Sequence, residues 1–263
     1  MSFFDLIKKT NKYRKNIRTK NKELQKRKLI TESIKSNSVA QNYSTFYDTK
    51  NYLSSLCELH GTDKGYLKFE KATPYGWKPH TYSIFYHSLF SHCRDSIKLL
   101  FECGIGTNNI NVESNMSSNG KPGASLKVWK DYFTKAQIIG GDIDERILFE
   151  DERIKTFQVN QLDPTSIKEM WAKINKENFD IIIDDGLHTY EAGITLFLNS
   201  FHKLKKGGIY IIEDVDFKYL NELKNGLKKF NTEIVVLTND YFDQNSINDA
   251  NLNDNNLILV RKD

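Results

Sequence analysis

Phe101-Glu102-Cys103-Gly104-Ile105-Gly106-Thr107-Asn108-Asn109 decides the fold, because an apolar run ending at Phe101 closes in an acid and then in two closely spaced glycines. Such a passage hands a buried strand over to a nucleotide-binding loop. Glycines there reach backbone conformations closed to other residues and bring amide groups against a ligand. The pattern argues against a dinucleotide, which asks for a third glycine where this chain has Asn109 and for an acid about 20 residues on. The next strand-terminal acid here is Asp142. A plain strand-to-helix turn would carry the same glycines, so the weight falls on the other strand ends.

Three further apolar runs also close in acids. Gln137-Ile138-Ile139-Gly140-Gly141-Asp142-Ile143-Asp144 reads as a second buried strand, with Asp142 placed to accept from a pair of ribose hydroxyls. Phe179-Asp180-Ile181-Ile182-Ile183-Asp184-Asp185-Gly186-Leu187-His188 and Gly207-Gly208-Ile209-Tyr210-Ile211-Ile212-Glu213-Asp214 are the other two. Unbroken apolar runs mark strands buried on both faces, as in parallel sheets, whose ligand crevice lies at the strands' carboxyl ends. All four acidic clusters should therefore collect at one rim.

These motifs, together with Pro122-Gly123-Ala124-Ser125-Leu126-Lys127-Val128-Trp129-Lys130-Asp131-Tyr132-Phe133 and, upstream, Gly61-Thr62-Asp63-Lys64-Gly65 and His80-Thr81-Tyr82, make the chain resemble a class I S-adenosylmethionine-dependent methyltransferase. Within that superfamily it is most similar to bacterial metal-dependent enzymes that O-methylate sugars, of the macrolide-sugar and polysaccharide-cluster types. The resemblance runs from about residue 58 to the C-terminus. Each motif alone is loose; their order and their strand-end setting make the set specific.

The resemblance implies a Rossmann-like, seven-stranded, mostly parallel sheet with helices on both faces and a last strand entering antiparallel. It implies S-adenosylmethionine as methyl donor, with Gly104 and Gly106 near its methionine part, Glu102 organising the loop, Asp142 at the ribose, and Asn160 and Gln161 at the adenine. An unactivated sugar hydroxyl is too weak an acid for neutral pH, and a bound metal ion lowers the pKa of a coordinated oxygen and orients it. Carboxylate ligands favour Mg²⁺, and Asp185, Glu213 and Asp214 occupy positions similar to the metal ligands of catechol O-methyltransferases. His188 stands at the offset from Asp185 where related sugar enzymes carry a catalytic histidine, and a neutral imidazole suits a general base. Asp184 is a rival ligand or base and a candidate contact to the cofactor. Lys64, His80 and Tyr82 either close over the cofactor carboxylate or the acceptor, or are ordinary loop and helix-start residues. Acids that merely cap the helices after the strands are the plain alternative for the trio.

Strands are predicted near residues 97–103, 136–142, 154–159, 179–184, 208–213, 232–238 and 255–261, and helix-like spacing covers 40–60 and 80–95. Residues 61–79, rich in Gly, Pro and aromatics, read as a loop long enough to cover a site, and the Asn-rich residues 239–256 as a surface loop. The resulting division is a basic N-terminal helical arm over residues 1–35, a helical cap with an active-site loop over 36–95, and the methyltransferase core over 96–263.

Charge sharpens that division. Residues 1–30 hold eleven Lys or Arg against Asp5 and Glu23, a balance of +9 within a total of +4, so the remainder is acidic. The arm either touches anionic lipid or a polyanionic polymer or packs on the domain or a second subunit of a homo-oligomer. No recognised nucleic-acid motif accompanies the charge. The chain has no apolar run of membrane-spanning length and no signal peptide, and Cys57, Cys93 and Cys103 lack metal-site spacing, which predicts a soluble protein of a reducing cytoplasm. Two other classes stay open: a nucleotide-sugar glycosyltransferase using Asp142 and Asp144 as a metal-binding acid pair, and a non-catalytic scaffold on a cofactor fold.

Overall fold

The apolar runs that read as strands do form the sheet. The computed structural model describes residues 51–65, 79–237 and 254–263. Its strands are β1 (Leu99–Cys103), β2 (Gln137–Asp142), β3 (Glu150–Asp151), β4 (Ile154–Gln158), β5 (Phe179–Asp184), β6 (Leu204–Ile212), β7 (Asn231–Val236) and β8 (Asn256–Arg261). They lie in the order β3-β4-β2-β1-β5-β6-β8-β7. The five central strands, β4 to β6, pair in parallel, while β8 enters antiparallel between β6 and β7. The eighth strand, beyond the seven expected, is β3, two exposed residues antiparallel to β4. Two residues carry no periodicity, so the sequence had no means of announcing it.

Period-two alternation explains why both faces are covered. Leu100, Ile138, Ile181, Ile183 and Ile211 join the core that includes Leu53, Tyr86, Leu126 and Trp129. Those four belong to helices α1 (Tyr52–His60), α2 (Tyr82–Phe90) and α3 (Ala124–Tyr132). The intervening Phe101 and Tyr210 meet Trp171 and Phe197, from α4 (Pro164–Ile174) and α5 (Tyr190–Ser200), and α6 (Phe217–Gly226) packs against α5. Strand side chains alternate between faces, so a strand apolar at every position needs a helical layer on each side.

Local signals set the helix starts. Asp163 accepts from Thr165 N with Pro164 at the first helical position, and Thr189 accepts from Ala192 N, the chemistry expected of N-caps and of proline at a helix entry. The sheet order reverses between β1 and β5, since β2 and β4 build one way and β5 and β6 the other. That reversal opens the crevice at the strands' carboxyl ends.

The chain divides near residue 40 into two units. The basic arm, residues 36–50 and 66–78 of the cap, and residues 238–253 of the Asn-rich loop lie outside the described residues. Among the described residues no helix is long and apolar enough to cross a membrane.

Candidate active site

A cleft of about 500 Å³ sits over the carboxyl ends of β2, β1, β5 and β6. Its floor is the glycine loop. Gly104 takes φ +85° and Gly106 φ +83°, conformations that favour glycine. A Cβ on Gly104 would stand 2.0 Å from the Asp185 carbonyl oxygen, so the loop and the β5 turn touch backbone to backbone. Asp142 braces this floor: one carboxylate oxygen accepts from Ile105 N at 2.9 Å and the other from Asp144 N at 3.0 Å. Burial pushes its pKa up, against those hydrogen bonds. Both Asp142 and the glycines line the cleft.

Asp144 has a different task. It accepts from Arg146 Nε and Nη2, each at 2.7 Å, and from Thr107 Oγ1 at 2.5 Å, and the Arg146 hydrogen bonds hold its carboxyl well below the ordinary range. Its oxygens are committed to tying β2 to the glycine loop, and it does not line the cleft. The acid-pair reading of Asp142 and Asp144 as metal ligands is thereby corrected.

Asn160 and Gln161 both line the cleft after β4. The Gln161 side chain is spent as a tie: Nε2 donates to Asp184 Oδ1 at 2.5 Å and Oε1 accepts from Leu187 N at 2.9 Å. Asn160 Oδ1 accepts from Leu162 N. The sequence reading missed Ile143 and Leu162, which are 50% and 48% exposed, line the same end of the cleft and are apolar. The signal was available at Ile143, an apolar side chain directly after a strand-end acid.

At the other end the acids gather as expected, though in two groups. Lys64 Nζ lies 2.6 Å from Asp185 Oδ2 and 3.2 Å from Glu102 Oε1, and it also bonds Glu213 Oε2. Tyr86 donates to Glu213 Oε1 at 2.5 Å, and Trp129 Nε1 to Glu102 Oε2 at 2.6 Å. Burial works against the ammonium, but Asp185, Glu102 and Glu213 more than offset it and hold the pKa well above the lysine range. Burial pushes the Glu213 carboxyl up to about 7, with Lys64 opposing.

The second group centres on Asp214. Tyr82 donates to its Oδ1 at 2.7 Å, while His80 Nε2 and His188 Nε2 stand 3.4 and 3.9 Å from its Oδ2. His80 stacks on Tyr82 at 4.7 Å. Burial would raise the Asp214 carboxyl, but His80 and His188 pull it below its usual value. The two histidines diverge: burial drives His188 down, whereas at His80 the Asp214 charge overcomes burial and raises the pKa. His188 at φ +58° and Asp214 at φ +51° both hold the left-handed conformation, uncommon for residues with a side chain and concentrated at functional sites.

Ligand atoms of Asp185, His188 and Asp214 lie within 4.8 Å of one another. Glu213, the third acid of the expected trio, lines the same cleft, with its oxygens on Lys64 and Tyr86. Lys64, His80 and Tyr82 all line the cleft, Lys64 with its ammonium on three carboxylates and His80 and Tyr82 beside Asp214. Glu102 lies beneath the cleft, outside its lining, anchoring Lys64 and Trp129. Asp184 also falls outside the cleft; its Oδ2 lies near Gly193 of α5, and it is withdrawn as a base or cofactor contact. Cys103 is buried with its thiol pushed up by burial, the state of a core residue.

Sheet order, glycine loop and strand-end acids together define the class: the chain has the Rossmann-like fold of the class I S-adenosylmethionine-dependent methyltransferases. Its homologues are sugar O-methyltransferases. It is 30% identical over 167 residues to 8-demethyl-8-alpha-L-rhamnosyl tetracenomycin-C 2'-O-methyltransferase of Streptomyces olivaceus, covering 64% of this chain and 38% of that protein. To demethylmacrocin O-methyltransferase of Streptomyces fradiae it is 31% identical over 159 residues, covering 60% and 38%. The chain thus spans under two-fifths of the length of these relatives. The solved structure of MycE methyltransferase from the mycinamycin biosynthetic pathway, in complex with Mg and SAH, shares the fold with a TM-score of 0.54 and 24% identity, over 80% of this chain and 54% of that one. No family model matches the chain.

Proposed function

We propose that this protein transfers a methyl group from S-adenosylmethionine to a hydroxyl of a sugar or glycoside, with Mg²⁺ assisting. One observation carries the reading: a single cleft joins a glycine floor braced by Asp142 to an Asp185, His188 and Asp214 cluster, so a donor and an acceptor fit end to end. Ile143 and Leu162 offer apolar faces for the adenine, Asp142 accepts from the ribose, and the glycine-loop amides approach the methionine part. The sulfonium is an already activated methyl donor, which leaves the protein to align the acceptor oxygen and remove its proton.

The donor set fits a divalent ion. Mg²⁺ is usually held by a few carboxylates, with substrate and water completing the octahedron, and Asp185, Glu213 and Asp214 all line the cleft to supply them. The ion, when bound, would acidify the acceptor hydroxyl. His188 is kept neutral by burial and so is competent to take the proton at its ring nitrogen. Tyr82 and His80 orient Asp214 from behind. The substrates that the relatives' names carry support a glycoside acceptor, an argument from analogy.

Incubation with methyl-labelled S-adenosylmethionine, Mg²⁺ and a panel of glycosides and nucleotide sugars, with products read by mass spectrometry, tests this directly. A gain of one methyl on a sugar hydroxyl is expected. Thermal stabilisation by a nucleotide-diphosphate sugar with Mn²⁺, and none by S-adenosylhomocysteine, would transfer the protein to the glycosyltransferases.

A further inference from the structure

Asp254, two residues ahead of β8, lines the cleft although no sequence motif marks it. Its stretch of backbone is bound to the start of α2, far away in the chain. Asn255 Oδ1 accepts from Thr81 N at 3.2 Å, Asn255 Nδ2 lies 3.0 Å from Thr81 Oγ1, and the Asp254 carbonyl lies 3.0 Å from the Tyr82 hydroxyl. That same hydroxyl stands 2.7 Å from Asp214 Oδ1, and Asn256 Nδ2 donates to the carbonyl of Val215 at 2.8 Å. Asp254 is thereby held one hydroxyl away from Asp214, at the acceptor end of the cleft.

Its side chain has no comparable duty. Among the described residues no hydrogen bond or ion pair reaches the Asp254 carboxylate, and Oδ1 is buried without a donor. The acids around it are engaged: Asp185 and Glu213 by Lys64, and Asp214 by Tyr82 and His80. A buried oxygen without a donor is unfavourable, and such a group calls for a partner. Here the cleft can deliver one. A carboxylate asks for an O–H or N–H group and repels an anionic one, which suits a neutral sugar face.

We propose that Asp254 determines acceptor specificity, its carboxylate accepting a hydrogen bond from a sugar hydroxyl other than the one that is methylated. The inference rests on the sugar O-methyltransferase reading above and adds to it a hydroxyl that the acceptor must carry. A site built to hydrogen-bond a hydroxyl rejects the analogue that lacks it, because its own buried group is then left unpaired.

The test measures kcat/KM for methyl transfer to the methyl glycosides of rhamnose, glucose, galactose and mannose, each with its monodeoxy counterparts. Wild type, Asp254→Ala and Asp254→Asn are compared as full chains. On the preferred sugar, the wild type should lose about 10²-fold or more with one deoxy analogue that keeps the methylated hydroxyl. Asp254→Ala should be slower on the parent sugar and treat that analogue and the parent alike, whereas Asp254→Asn, which keeps an accepting oxygen, should retain part of the discrimination. Discrimination unchanged in Asp254→Ala, or a wild type indifferent to every deoxy analogue that keeps the methylated hydroxyl, would overturn the proposal and leave the methyltransferase reading intact. Both variants should keep the wild-type melting transition and affinity for S-adenosylhomocysteine; loss of either would make the carboxylate structural and also overturn it. A wild type that methylates none of these sugars and none of the panel above would instead end the reading on which the inference rests.

Discussion

At the scale of single residues, His188 carries the sharpest expectation. Removing a positioned general base costs about 10²-fold or more in rate, so His188→Ala should lower kcat by that much while leaving calorimetric affinity for S-adenosylmethionine unchanged. Near-normal kcat with weakened cofactor binding would make the imidazole part of the wall. Asp184 allows a test of burial itself. Its folded pKa is pushed up to about 7 by burial, against about 3.9 for a free aspartate. A raised acid pKa means the neutral form is preferred in the fold, so the associated stability is complete below about pH 4 and is lost as pH rises toward about 7. Asp184→Asn keeps the oxygen that accepts from Gln161. Its Tm should match the wild type near pH 4 and exceed it increasingly up to about pH 7; a constant difference across that window would show the carboxylate to be charged in the fold throughout. Gly104 behaves differently from what a cofactor contact alone would suggest. Because its missing Cβ would strike the Asp185 carbonyl, Gly104→Ala should cost about 3 kcal/mol of stability in urea unfolding, with cofactor loss as a consequence.

Elements are held by side chains that the strand and helix patterns do not reveal. Arg153, just ahead of β4, donates from Nη1 to the carbonyls of Phe133 and Ala136 and from Nη2 to that of Lys130. Those carbonyls end α3 and begin the turn into β2, where the helix has no successor amides to satisfy them. Arg153→Met should therefore cost roughly 2 kcal/mol in chemical denaturation, the range for losing charge-assisted bonds to a helix end. A change under about 0.5 kcal/mol, typical of surface substitutions, would show that water caps α3 equally well. Helices α1 and α2 were legible from apolar spacing, whereas the caps at Asp163-Pro164 and Thr189 emerge from the structure. Strand β3 was not legible, since Glu150–Asp151, pairing back on β4 across the turn at Glu152–Arg153, is too short to carry a periodicity.

For the molecule as a whole, the two ends of the cleft predict separable ligand responses. Asp142 belongs to β2, whereas Asp185 and Asp214 come just after β5 and β6, so the proposed cofactor and metal sites rest on different strands. S-adenosylhomocysteine at 100 times its Kd should stabilise the fold by about 2.7 kcal/mol through mass action, and exhaustive EDTA treatment should leave that shift intact while abolishing turnover. Full turnover after EDTA would return Asp185 and Asp214 to structural duty.

Sequence alone determined the parallel sheet, the glycine loop and the rim of acids, because each is written in a contiguous run: strand burial in unbroken apolar stretches, the loop in adjacent glycines, the rim in acids that end those stretches. Tertiary structure alone decided how the acids divide their work. Lys64 meets partners 121 and 149 residues away in the chain, and His80 and Tyr82 approach Asp214 across a similar gap. Which carboxylate faces an ammonium, a histidine or the open cleft depends on side-chain direction at the end of a twisted sheet. No local pattern encodes that direction, since neighbouring residues such as Asp184 and Asp185, or Glu213 and Asp214, share composition and differ only in the face of the strand end they occupy.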